Sequence, residues 1–205
     1  RGSSIKSVGL CHSVQGCARG LLHQVGLNPA DYPRLQWHIA GINHQGWLLE
    51  ISHDGKDLYP LIKKRAAAIL KRERRKEKAE HRDLVRLEIM MQFGHYLTES
   101  SEHSAEYMPY WIKSSHPELI DQYNIPLDEY PRRCVNQIAG WEKMRDQLVN
   151  DANLTHSRTG EYGSQIMEAI ETDVPLTVGG NALNNGLITN LPSKAVVEIA
   201  CLVDR

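Results

Sequence analysis

No run of apolar residues in the 205-residue sequence approaches the roughly 18 that a membrane-spanning helix needs, and no signal-peptide pattern stands at its start. Both absences speak against a membrane partner. Net charge is almost absent too, −1 at neutral pH, so no global field draws the chain to nucleic acid. Cysteine is sparse: Cys11, Cys17, Cys134 and Cys201 follow no pairing pattern, which predicts reduced thiols in a cytoplasmic protein. There is no internal repeat, no Gly-x-Gly-x-x-Gly turn and no phosphate-binding P-loop. No methionine opens the sequence and an apolar strand-like run closes it, so the expectation is of a domain cut at both ends.

What is present is ordinary for a soluble globular domain: 41% hydrophobic and 24% charged residues, on a chain long enough to bury a core. "IKSVGLC" (5–11) reads as a buried strand. Residues 12–27 read as a helix, with Val14, Cys17, Leu21, Leu22 and Val25 at helical spacing. After the break "NPADYP", two strands are expected over 35–42 and 46–54, joined through "NHQ", and an Asp-Gly turn ends the second. Residues 58–91 turn helical and basic, with eleven Lys and Arg against four acids between Lys63 and Arg86. That stretch lacks interleaved aromatics, and Glu73, Glu77, Glu80 and Asp83 break its charge. It reads as a solvated helix or mobile loop over about 63–82, and a nucleic-acid surface there is disfavoured. An amphipathic helix then stops at Gly94. Further helices are expected over 127–151, with Pro131 near the start, and over 160–172. The end, 174–204, reads as strand, polar loop, strand. The order is mixed α and β (α+β), with strands too few and too spread for a doubly wound sheet.

Three polar clusters interrupt apolar surroundings: Cys11–Ser13, the turn around His44, and Thr98–Trp111. Cys11 and His44 lie far outside zinc-finger spacing. Taken singly, each fits a small buried hydrophobe or a hydrogen-bonded structural imidazole. Together, a thiolate and an imidazole would suit a divalent transition ion with positions open to substrate. Glu99, Glu102, His103 and Glu106 are spaced to share one helix face, or else form an ordinary capping region. Tyr107 can act as a base only beside a cation, which a bound metal would supply.

The strings "VGLCHSVQG", "AGINHQGWLLE", "TESSEHSAEYMPYWIK", "IPLDEYPRRCV", "NNGLITNLP" and "VVEIACLVD", in this order, resemble glycoside hydrolase family four in its α-galactosidase branch. The likeness runs the length of the chain. It implies a fold like the C-terminal domain of lactate and malate dehydrogenases, with residues 1–205 forming the catalytic half and the NAD cradle expected before Arg1. The implied activity departs from the two-carboxylate glycosidase scheme. NAD takes hydride from C3 of the sugar, a base removes the C2 proton, the aglycone leaves C1, water adds and the hydride returns. A divalent metal, usually Mn2+, acts as Lewis acid at the C2 and C3 oxygens. By resemblance, Cys11 and His44 are the metal ligands, Tyr107 is the C2 base, and Asn43, Glu99, His103 and Glu106 contact sugar hydroxyls. His12 stands where some relatives carry an aspartate serving as the acid, and so donates a proton or binds substrate. The implied partners are an α-galactoside and further copies in a homo-oligomer, with the fragment alone expected to be inactive. The alternatives are an α-glucosidase or 6-phospho-α-glucosidase of the same family, or a non-catalytic assembly module working through the helix at 127–150.

Overall fold

The computed structural model describes residues 7–155, 159 and 161–204. Its centre is an antiparallel sheet, and each strand follows from a local pattern. β1 (Leu35–Ile42) and β2 (Gln45–His53) form a hairpin paired from Leu35–His53 to Ile42–Gln45, with one irregularity between His38 and Ile39. Asp54 and Gly55 both take positive φ (53° and 72°), which folds β2 back onto the short β3 (Lys56–Asp57). β4 (Tyr96–Leu97) pairs with β2 opposite Leu48 and Trp47. β5 (Leu176–Leu183) and β6 (Val196–Val203) form a second hairpin, which joins the first where Glu198 of β6 faces Gly41 of β1. The order is β3-β2-β1-β6-β5.

Helix α1 (His12–Gln24) lies on this sheet. Its buried residues Val14, Cys17, Ala18, Leu21 and Leu22 recur every three or four positions, a stripe facing one way. The stripe meets β5 where that strand has no side chain: a Cβ on Gly179 would come within 2.6 Å of Val14 Cγ1. Gln15 Nε2 also donates to the Gly179 carbonyl at 2.9 Å, so the start of α1 is fixed on β5.

Helices α2 (Tyr59–Glu73) and α3 (Leu84–Phe93) pack together beside the sheet. α3 differs from the amphipathic helix the sequence suggests. Leu84, Leu87 and Met90 enter the main core, while Val85 and Ile89 enter a second cluster with Leu97, Ala105, Trp111 and Ile125. Exposed residues are left only in the last turn of α3, at Met91, Gln92 and Phe93. Gly94 ends it in the left-handed conformation (φ 87°). The basic stretch is the exposed end of α2 and a loop over 74–83. Glu73 Oε2 accepts the backbone N–H groups of Glu80 and His81, and Glu73 Oε1 meets Arg72 and Lys76.

Helix α4 (Ser101–Tyr107) follows β4, α5 (Glu118–Gln122) is a short turn, α6 spans Glu129–Asn150 and α7 spans Gly163–Thr172. Among the described residues of the strand expected over 5–11, no strand forms. Residues 5 and 6 lie outside the described residues, and the remainder makes one bridge, Gly9 with Asn181. The four cysteines are free, and no helix among the described residues is long and apolar enough to cross a membrane.

Two outcomes follow from these contacts. Gly179→Ala forces a methyl into Val14 and should lower stability by about 1–3 kcal/mol in urea unfolding; an unchanged midpoint would show that α1 can slide. Burial opposes the charge of Glu73, but hydrogen bonds from Glu80, Lys76, Arg72 and His81 overcome it and hold its pKa at about 2, below the ordinary 4.5. A depressed carboxylate stabilises the fold above pH 4.5 and loses that contribution as pH falls toward 2. Acid unfolding of Glu73→Gln should therefore be shallower across this window, and an unaltered slope would contradict the assignment.

Candidate functional site

The β1–β2 connection is a two-residue turn, Asn43 and His44. His44 sits at φ 64°, a conformation that favours glycine or asparagine and costs a bulky residue about 1–3 kcal/mol. The turn is possible because Gly41 and Gly46 face each other behind it: a Cβ on Gly41 would lie 2.9 Å from Gly46 Cα. The strained backbone holds the imidazole outward, where both ring nitrogens find partners. Nδ1 pairs with the Tyr107 hydroxyl at 3.1 Å, and Nε2 faces Glu99 Oε2 at 3.3 Å.

Those partners belong to the segment around α4, whose position is set from within. Ser100 caps the helix, its Oγ accepting the His103 N–H at 3.2 Å. Beneath it Asp83 and Arg86 form a buried pair (Nε–Oδ1 2.6 Å). Asp83 also accepts the hydroxyls of Tyr96 and Ser101, while Arg86 donates to the carbonyls of Leu97 and Thr98 and lies 4.5 Å over the Tyr96 ring. Burial opposes the Arg86 charge, yet Tyr96 and Asp83 outweigh it and raise its pKa above the ordinary guanidinium value. Held this way, α4 presents His103 parallel to His44 (6° between planes, centroids 6.2 Å apart), with His103 Nδ1 on Glu106 Oε2 at 2.8 Å. A cleft of about 500 Å³ opens beside His103 and Glu106 toward Leu127, Tyr130 and Pro131.

The structure thus gathers His44, Tyr107, Glu99, His103 and Glu106 into one cluster. Glu99 precedes the helix, and Glu102 turns away to Arg133 at 3.2 Å, so the four acid and histidine positions share no single helix face. Cys11 and His12 stand at the start of α1. Cys11 is its N-cap residue, with Sγ 3.1 Å from Ser13 Oγ and its carbonyl accepting the Tyr162 hydroxyl. His12 Nε2 meets Glu161 Oε1 at 2.8 Å, and its ring stands edge-on to Tyr162. No hydrogen bond among the described residues joins Cys11 to His44. Asn43 turns inward, Nδ2 donating to Glu198 Oε1 at 3.1 Å.

No group of three or more His, Cys, Asp or Glu side chains among the described residues is arranged to hold a metal ion. Two donors remain to be tested. The half-buried Cys11 sulfur lies at the positive end of the α1 dipole, the polarity an anionic ligand requires, and His44 offers a neutral-imidazole nitrogen once Glu99 or Tyr107 gives way. A thiolate and an imidazole fit a first-row divalent ion that keeps open positions, the pattern of catalytic sites, and do not form a closed structural cage. Glu198, Glu161 and Tyr162 were missed in the sequence. Only Glu198 left a signal, a carboxylate inside the apolar run "AVVEIACLV".

Residues 39–205 match the family 4 glycosyl hydrolase C-terminal domain. Over all 205 residues the chain is 58% identical to an α-galactosidase of Bacillus subtilis (strain 168), covering 45% of that protein. Among solved structures, a provisionally assigned glucosidase, lplD, from Bacillus subtilis superposes with TM-score 0.78 at 22% identity, over 98% of this chain and 48% of that one. A 6-phospho-α-glucosidase from gut microorganisms, solved with NAD and Mn2+, gives TM-score 0.60 at 21% identity, over 95% and 44%. The chain spans about half the length of the curated relatives it matches.

The hairpin geometry yields a test that separates folding from function. His44→Gly relieves the left-handed strain while removing one partly exposed hydrogen bond and one ion-pair contact, so the thermal midpoint should stay level or rise. A loss of more than about 2 kcal/mol would instead make the imidazole a structural tie between the hairpin and α4.

Proposed function

The chain belongs to the family 4 glycosyl hydrolases, whose C-terminal domain it contains, and we propose that it carries the metal- and sugar-binding side of an α-galactosidase. The observation that carries this reading is His44, held at positive φ with Tyr107 on one ring nitrogen and Glu99 on the other. Strain of that kind persists where a site over-determines it. The 58% identity to an α-galactosidase supports the substrate class.

In this reading Cys11 and His44 hold the divalent ion, Mn2+ by analogy with the relative solved with it. When bound, the ion supplies a Lewis acid at sugar oxygens and NAD supplies a hydride acceptor. The sequence contains no glycine-rich turn to hold the NAD pyrophosphate, so no residue of this chain is assigned to it. Tyr107 would act in its ionised form, taking the C2 proton onto the phenolate oxygen that the contact with His44 aims at the site and becoming the neutral phenol. His103 and Glu106 bind sugar hydroxyls along the cleft beside α4, and Glu99, on His44, and Asn43, the neighbouring turn residue, add contacts from outside that lining. His12, paired with the exposed Glu161, donates to the leaving group or contacts the sugar.

The test is hydrolysis of nitrophenyl α-galactoside by the protein at the full length of its relatives, with NAD and Mn2+. The expected result is metal-dependent turnover that exceeds that on the α-glucoside and on its 6-phosphate. Tyr107→Phe should then lower kcat by about 10²–10⁴ while leaving Mn2+ affinity intact. Preference for a glucoside or its 6-phosphate would move the chain to a sister activity, and full turnover without metal would overturn the reading.

A further inference from the structure

Three acidic side chains are buried among the described residues: Glu73, Asp83 and Glu198. The first two meet arginine or lysine. Glu198 is fully buried and forms no ion pair among the described residues. An uncompensated buried carboxylate is costly, so what surrounds it matters. Its Oε1 accepts Asn43 Nδ2 at 3.1 Å and Asn181 Nδ2 at 3.4 Å. Its Oε2 has no partner, and neither does the buried Thr98 Oγ1. Both lie around the space Gly46 leaves open, 2.9 Å and 3.2 Å from where its Cβ would stand. The glycine hairpin therefore makes room for this carboxylate.

The two asparagines lead in opposite directions. Asn43 is the turn residue next to His44. Asn181 exchanges backbone hydrogen bonds of 3.0 and 2.8 Å with Gly9, two residues before Cys11. Glu198 thus stands between the turn that carries one proposed metal donor and the segment that carries the other.

We propose that Glu198 is a positioning residue, which sets the separation of Cys11 and His44 by clamping Asn43 and Asn181 on one carboxylate oxygen. This rests on the reading that those two residues hold the ion. Glutamine keeps an oxygen for both asparagines and turns its amide toward Thr98 Oγ1, so it preserves the clamp; alanine abolishes it.

Mn2+ affinity, followed by the electron paramagnetic resonance of the free ion, tests this without turnover. Relative to wild type, Glu198→Ala should bind about 10–100-fold more weakly, as losses of outer positioning groups do, while Glu198→Gln stays within about threefold. Should Glu198→Ala fail to fold, Asn43→Ala cuts the same link from the half-buried turn and should weaken binding about tenfold by the same effect. Undiminished affinity in the folded Glu198→Ala, or in its stand-in Asn43→Ala, overturns the positioning role. So does a Glu198→Gln as weak as alanine, which would make charge the cause. A wild-type protein that takes up no Mn2+ overturns the metal reading itself, a failure distinct from either.

Discussion

The candidate site depends first on the buried pair of Asp83 and Arg86. That pair carries several further contacts: two hydroxyls on the carboxylate, two carbonyls and an aromatic face on the guanidinium. A buried pair gains little over an apolar isostere, and removing one partner costs about 3–5 kcal/mol. Its effect here is positional. The groups it binds belong to residues 96–101, the segment that leads into α4, so one ion pair decides where Glu99, His103 and Tyr107 stand.

The opposite wall is set by backbone and not by charge. Gly41 and Gly46 let the β1–β2 hairpin close tightly enough for a two-residue turn, and Gly179 lets α1 rest on β5. Missing side chains thereby place His44 and the start of α1, where Cys11 and His12 lie. The two walls meet through the hydrogen bond of His44 to Tyr107 and its ion-pair contact with Glu99. The apolar side of α6, with Val135, Ile138 and Trp141 exposed, takes no part in this arrangement.

Local pattern made much of the fold legible. β1 spans the residues expected between the breaks at 28–33 and 43–45, α1 follows its 3.6 periodicity, and Gly94 ends α3 as its missing side chain allows. What escaped depends on partners remote in the chain. The stretch before Cys11 is apolar enough for a strand, but pairing is a property of two segments, and it reduces to one bridge. α3 has the composition of a buried helix, yet only the second cluster around Trp111 explains why Val85 and Ile89 are buried as well as Leu84, Leu87 and Met90. Within the site, the Glu-His-Tyr string was conspicuous as a cluster, while its meeting with His44 spans 63 positions and leaves no local trace. Glu198 was visible as a carboxylate among apolar neighbours. Its meaning waited on the cross-strand register that sets it beside Gly41 and Asn181.

The central claim, that Cys11 and His44 share a divalent ion, is most directly tested by titrating the protein with Co2+ and recording thiolate-to-cobalt charge-transfer absorption. Burial pushes the Cys17 thiol up to about 12, which disfavours it as a competing ligand. The account predicts a saturable band in the wild type that disappears in Cys11→Ser and is lost or strongly altered in His44→Ala. A wild type with no band, or a band that survives in Cys11→Ser, would contradict it.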